Sequence, residues 1–272
     1  MEQELSTKVN KIAVISLSGG IDSTSLLLKL LTKKYKIYAL SFDYGQKHKI
    51  EICKAKLNID YLNKKDAKID FKIIDISDCV NVLNSSLTNK NINIPNGHYE
   101  ESSMLSTVVP NRNAIFSSIL FGYGLSISKK YKNKDIELCL GVHSGDHAIY
   151  PDCRYEFYEH IIESFHIGNW NSKNIKLNLP YLNMNKKNII KDAIKSIKKL
   201  NLNFNTIFKN TITSYNPNSN GISNGKTGSD IERILAFDSI GIKDPLKYKY
   251  SWNDVVKHAK KTEKEYKKRI NL

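Results

Sequence analysis

Apolar and polar positions change period several times along this chain, and the changes mark out an α/β protein. Residues 11–17 (KIAVISL) form a nearly continuous apolar run that ends in glycines, and residues 22–34 follow with a helical pattern that turns Leu26, Leu27 and Leu30 inward. A short continuous apolar run reads as a buried parallel strand, and the 3.6-residue period after it as a helix. The pairing recurs: strand 36–42, helix 46–64, strand 70–76 with a largely alternating pattern, helix 111–130, strand 136–141 and helix 154–166. Strands that alternate with helices of ten or more residues predict a doubly wound, Rossmann-type parallel sheet. Residues 185–200 predict an amphipathic helix with Ile189, Ile190, Ala193, Ile194, Ile197 and Leu200 on one face and lysines on the other, and a last basic helix covers 252–270.

Two stretches break the rhythm. Residues 77–110 lose their period, and so long a connection predicts a functional insertion. Residues 204–228 are crowded with Asn, Ser, Thr and Gly, which predicts a segment that is mobile on its own. Order returns where Ser229-Asp230-Ile231-Glu232 reads as a capping box opening a helix that Gly241 and Pro245 end. The predicted organisation is an α/β nucleotide-binding domain over 1–200, beginning with a polar leader at 1–10, and a C-terminal lid and helical region over 201–272.

Composition sets the bounds. A chain of 272 residues hides roughly three quarters of its unfolded surface, enough for one large domain or one with an appendage. No apolar run reaches the ~18 residues of a membrane span, and no basic-then-apolar leader is visible. The four cysteines are scattered without a C-x-x-C pair, which predicts reduced thiols and a cytoplasmic location. A net charge of +15 invites a nucleic-acid partner, but the lysines are spread along helix outer faces, so that partner is disfavoured.

The chemistry begins at the turn after the first strand, Ser18-Gly19-Gly20-Ile21-Asp22-Ser23. Paired glycines let backbone N–H groups approach an anion, Ser18, Ser23 and Thr24 add hydroxyl donors, and the next helix points its positive end at the same place. A Walker loop would carry a Gly-Lys-Ser/Thr ending, and no lysine stands here. The loop resembles that of the PP-loop ATP pyrophosphatases, which implies attack on the α-phosphorus of ATP with pyrophosphate leaving.

Two further stretches follow predicted strands, at the ends where open α/β sheets bind their ligands, residues 41–48 (SFDYGQKH) and 141–154 (GVHSGDHAIYPDCR), and a third, 109–113 (VPNRN), follows the long connection. Together with SGGIDS they closely resemble the 7-cyano-7-deazaguanine synthase family over about residues 11–246. The resemblance implies an ATP-dependent carbon–nitrogen ligase that activates the carboxylate of 7-carboxy-7-deazaguanine as an acyl adenylate and amidates it with ammonia. A second adenylation in the family takes the amide to the nitrile. It also implies Mg²⁺ with the ATP and a homodimer; Asp22 can hold the Mg²⁺ or cap the loop, and no membrane partner is expected.

Carried onto this sequence, the nucleotide contacts fall on Ser16, Leu17, Ser18, Gly19, Gly20, Ile21, Asp22, Ser23, Thr24, Ser41, Phe42 and Gln46, and the catalytic candidates are Asp22, Ser23, Lys47, His48 and Arg112. A guanine-like edge offers N–H donors, for which Asp146 or Asp152 is the candidate acceptor. Tyr44, Phe42 or Tyr150 can stack on the ring, Lys47, His48, Arg112 and Arg154 can offset negative charge, and Asn113 completes the substrate set. His143, His147 and Cys153 are open between site and structure.

One departure stands out. The family's four zinc cysteines correspond to Ser214, Asn224, Thr227 and Asp230, while Tyr215, Gly225, Arg233, Ala236 and Phe237 keep the surrounding pattern. Hydroxyls and an amide are poor zinc ligands, so no zinc is expected and the lid loses its brace. An unbraced lid favours release of the amide over completion of the nitrile. It also leaves two alternatives open: a relative that transfers the deazaguanine acyl group to an amine on a partner protein, and a tRNA-modifying PP-loop protein.

Overall fold

The computed structural model describes residues 11–218 and 220–270. The polar leader at 1–10 lies outside them.

Five strands, β1 (Ile12–Ser16), β2 (Lys36–Asp43), β3 (Asp70–Asp75), β4 (Ile136–Cys139) and β5 (Ile175–Asn178), form one sheet in the order β3-β2-β1-β4-β5. Every pairing is parallel, with Ile12 opposite both Lys36 and Ile136. The order reverses at β1, which places the end of that central strand at the crevice where such sheets bind ligands. Helices α1 (Ile21–Thr32), α2 (Ile50–Asn63) and α4 (Arg112–Lys130) connect the strands, and a short α3 (Ser77–Val80) follows β3. After α5 (Tyr155–Gly168) come α6 (Lys186–Lys199), α7 (Phe204–Lys209), α8 (Gly228–Asp238) and α9 (Trp252–Ile270).

Successive β1 side chains enter opposite layers, as the two-residue period of a strand requires. Ala13, Ile15 and Leu17 pack with the leucines of α1 and the apolar face of α6, whereas Ile12 and Val14 pack with Leu120 and Phe121 of α4. The first layer also takes in Ile207, Phe208, Ala236 and Phe237, so α7 and α8 share the core of the sheet. Among the described residues no helix is long and apolar enough to cross a membrane.

The parallel sheet, its flanking helices and the helical C-terminal region match the sequence expectation. Four local features differ. The edge strand β5 is only four residues of mixed polarity, too short for a period to register. The second helix starts at Ile50 because Gly45 turns the chain at φ +77° and the Gln46 side chain bonds back to Tyr44 N–H and Phe42 C=O, holding 44–49 as a loop. The capping box of α8 is formed by Thr227 and Asp230 instead of Ser229 and Glu232: the shorter Asp side chain at the third helical position reaches back to the Thr227 amide.

The fourth difference concerns 204–228, which is tied into the fold instead of being loose. Asn58 of α2 donates to the carbonyls of Ile207 (3.2 Å) and Asn210 (3.1 Å), and Ile212 N–H donates to Gly19 C=O at 3.0 Å. Ser219 within this stretch lies outside the described residues.

Candidate active site

The turn between β1 and α1 is held by its own serines. Ser23 Oγ accepts from Ser18 N–H (3.2 Å) and meets Ser18 Oγ at 3.0 Å, while Ser18 Oγ accepts from Gly20 N–H at 3.2 Å. Gly19 has φ +87°, and a Cβ there would lie 2.1 Å from the Glu51 carbonyl, so only glycine lets α2 close on the loop. Gly20 precedes α1 with no side-chain cap, which leaves the first-turn amides to an anion. Leu17, Ile21 and Thr24 are buried behind the turn, and Ser41 Oγ of β2 bonds to Leu17 C=O, so these four support the loop from behind. Ser16, Ser18, Gly20, Asp22 and Ser23 face a cavity of about 230 Å³.

A charge cluster forms the floor of that cavity. Lys186 Nζ, with its side chain 5% exposed, lies 2.6 Å from Asp22 Oδ2, 3.2 Å from Glu232 Oε2 and 2.8 Å from His143 Nε2. Asp146 Oδ2 approaches the same His143 nitrogen at 3.5 Å. Burial alone would raise the Asp22 carboxyl, but the Lys186 ammonium and then His143 hold it below the usual carboxylate range. Burial likewise works against the Lys186 charge, and Asp22, Glu232 and Asp146 together push its pKa up. The loop that lacks a lysine in sequence therefore has one in space.

Asn185 caps α6 by accepting from Asn188 N–H at 3.0 Å, which fixes Lys186 on the first turn. Motif reading does not pick out Lys186 and takes Glu232 only as part of a capping box. A signal existed for Lys186, which falls three and four residues before Ile189 and Ile190 and so lies on the apolar stripe of an otherwise amphipathic helix.

The opposite wall comes from the other loops. Arg112 lies over the rings of Tyr44 (5.7 Å) and Phe116 (5.9 Å), and its buried Nε has no protein partner. Tyr150 OH meets Thr107 Oγ1 at 2.6 Å, which ties the 77–110 insertion to the site. Asn113, Asp146, Tyr150 and Cys153 line the cavity with Tyr44 and Arg112. Burial raises the Cys153 thiol, so it is a poor thiolate nucleophile.

The remaining candidates stand elsewhere. Phe42 stacks on Phe116 at 4.1 Å and supports the wall from behind. Asp152 is one residue off the lining, with a buried Oδ1 that has no protein partner. Arg154 donates twice to the His147 carbonyl, at 3.0 and 2.9 Å, and braces its own loop. Lys47 bonds through Nζ to Ile92 C=O, and with Gln46 and His48 it lines a separate side cavity. Burial lowers the pKa of Lys47, and burial with the nearby Lys47 charge lowers that of His48.

Two buried hubs hold the roof. Asp230 Oδ2 accepts from Ser214 Oγ (2.9 Å), Ser223 Oγ (2.7 Å) and Thr227 Oγ1 (2.6 Å), joining three of the four predicted cysteine-equivalent positions without sulfur. Asn224 stays out of this hub and accepts from Lys226 N–H. Arg233 forms a bidentate pair with Asp244 at 2.6 and 2.9 Å and donates to Thr211 and Thr213 Oγ1, each at 3.1 Å. Both hubs stand on α8, whose N-terminal half brings Ser229 and Glu232 to the cavity.

A family model described as queuosine biosynthesis protein QueC matches residues 12–241. The chain is 37% identical over 236 residues to a 7-cyano-7-deazaguanine synthase of Caldicellulosiruptor bescii, covering 87% of this chain and 96% of the relative. It is 39% identical over 236 residues to the enzyme of that name from Methanoregula boonei, covering 87% and 98%. Among solved structures it is similar to a 4-thiouridine synthetase in complex with RNA and bound ATP, with a TM-score of 0.45 and 15% identity over 94% of this chain and 54% of that one.

Proposed function

This chain belongs to the queuosine biosynthesis protein QueC family, and on that premise we propose that it is an ATP-dependent carbon–nitrogen ligase acting on 7-carboxy-7-deazaguanine. The substrate carboxylate attacks the α-phosphorus, pyrophosphate leaves, and ammonia displaces AMP from the acyl adenylate to give the amide. A second adenylation, on the amide oxygen, leads to the nitrile. The observation that carries this reading is the convergence on one cavity of an uncapped helix start, Lys186 and the Arg112–Tyr150 wall.

The residues divide the work by position. First-turn amides and the Ser18 and Ser23 hydroxyls face the leaving pyrophosphate, and Lys186 neutralises the charge that develops there. Arg112 offers its unpaired Nε–H to the substrate carboxylate, and Asp146 offers an acceptor to the N–H edge of the base. Asp22 fits a Mg²⁺ that travels with ATP, because Oδ2 is held by Lys186 while the buried Oδ1 has no protein partner; such an ion would polarise phosphate oxygens.

Zinc does not fit the Asp230 hub, which offers one carboxylate and three hydroxyls where a structural site needs thiolate or imidazole. The hub instead braces the lid by hydrogen bonds. That removes the reason to expect early loss of the amide, so the nitrile is the expected end product.

Two outcomes check this reading. With ATP, 7-carboxy-7-deazaguanine and ammonia, mass spectrometry should find AMP, pyrophosphate and first the amide, then the nitrile; ADP as the main nucleotide product would overturn it. Elemental analysis of the purified protein should find no stoichiometric zinc, and a chelator should leave its unfolding midpoint unchanged. One tightly held zinc per chain would refute the role given to Asp230.

A further inference from the structure

Glu51 stands at the boundary of two cavities. It lines the substrate cavity with Tyr44, Ile212 and Tyr215, and the same four residues line the side cavity that runs past Gln46, Lys47 and His48. That side cavity has a volume of about 20 Å³. A space of roughly 10–15 Å³ on this measure admits one water, and ammonia is about the size of water. The residue is held at backbone and side chain: its backbone carbonyl abuts Gly19 of the phosphate loop, and its carboxyl Oε1 accepts from Gln46 Nε2 at 3.0 Å.

We propose that the side cavity is the entry site for the small amine and that Glu51 is the base that deprotonates it, given the adenylating reaction proposed above, on which this rests. Ammonium predominates over ammonia in neutral water, and ammonium has no lone pair with which to attack. Moved beside the Lys47 cation and away from water, it loses its preference for the charged form. Ammonium gives one proton to the Glu51 carboxylate, and the freed nitrogen pair forms the C–N bond. The bond between the acyl carbon and the phosphate oxygen breaks, and AMP departs with that electron pair and the second surplus proton. Burial pushes the Glu51 carboxyl up to about 7, against the opposing pull of Arg112 and the Gln46 amide, which suits a base working near neutrality.

Glu51→Gln keeps the shape and can still accept from Gln46, but it takes no proton. Hydroxylamine supplies the control, because at neutral pH it is already largely neutral and needs no base. In E51Q, pyrophosphate exchange into ATP should stay within about threefold of the unaltered protein, while amide formation from ammonium chloride at pH 7 falls by about 100-fold or more. Hydroxamate formation from hydroxylamine should stay within about fivefold, since base catalysis is the only contribution removed. Unchanged ammonia use, equal loss with both nucleophiles, or loss of exchange together with amide formation would each overturn the assignment. Absence of exchange in the unaltered protein would overturn the adenylating reaction itself, a failure visible before any variant is made.

Discussion

Lys186→Met is expected to lower substrate-dependent pyrophosphate release by about 10²–10³-fold, the range found when one preorganised donor is removed from a developing charge. The reason is geometric. Lys186 sets its ammonium 2.6 Å from Asp22 and is held from a separate element, so the charge stands in place before pyrophosphate forms. Methionine keeps the volume and the packing on α6 but leaves Asp22 and Glu232 without their shared counter-ion. The pKa of Asp22 should then rise toward the usual carboxylate range. Lys186→Arg separates charge from shape, because the broader guanidinium misfits a site with a 5% exposed side chain, so it should recover only part of the rate. Phosphate-release kinetics with inorganic pyrophosphatase as the coupling enzyme measure both variants. A K186M protein working within threefold of the original would remove Lys186 from the mechanism.

Arg233→Leu is expected to destabilise the protein by about 3–5 kcal/mol, the cost of leaving one member of a buried ion pair alone. Arg233 and Asp244 have no solvent exposure, and Asp244 also accepts from Tyr248 OH at 2.7 Å and from Leu246 N–H at 2.9 Å. Removal of the arginine strands that carboxylate and frees the 211–213 strap that roofs the phosphate loop. Urea unfolding should show the full loss in Arg233→Leu and a smaller loss than the sum of single effects in Arg233→Leu/Asp244→Leu, since the double change removes both charges. A single-variant loss under about 1 kcal/mol would mean that the pair does not hold the lid.

The strap matters because the roof of the site comes from residues that sequence reading assigns to a mobile segment. Composition favours mobility there: few apolar residues, many short polar ones. What reverses the balance is burial of two charged groups, Asp230 and Arg233, each surrounded by the hydroxyls and amides that the same composition supplies. Buried polar networks of this kind stabilise only when their members are paired, a condition that no periodicity reveals. Even so, Asp230 Oδ1 lacks a partner, and burial raises the carboxyl despite the hydrogen bonds from Thr227, Ser223 and Ser214.

By itself the sequence determined the layered architecture and the glycine turn after its first strand. The alternation of periods over 11–64 reflects which face each residue buries, and Gly19 supplies the positive φ of the turn, while the close approach of Glu51 that also demands glycine there comes from a distant segment. It also brought forward Asp146 and Tyr150, whose loop follows a strand that ends at the crevice, and Arg112 through the family resemblance of residues 109–113. Tertiary structure alone decided the rest. It placed Lys186 against Asp22 across 164 positions of chain and turned Glu232 of α8 toward the same ammonium. It also swung Lys47 and Arg154 onto backbone carbonyls away from the phosphate loop. A charged side chain is placed by its counter-charge and by the water it loses, and both depend on distant segments that only the folded chain brings together.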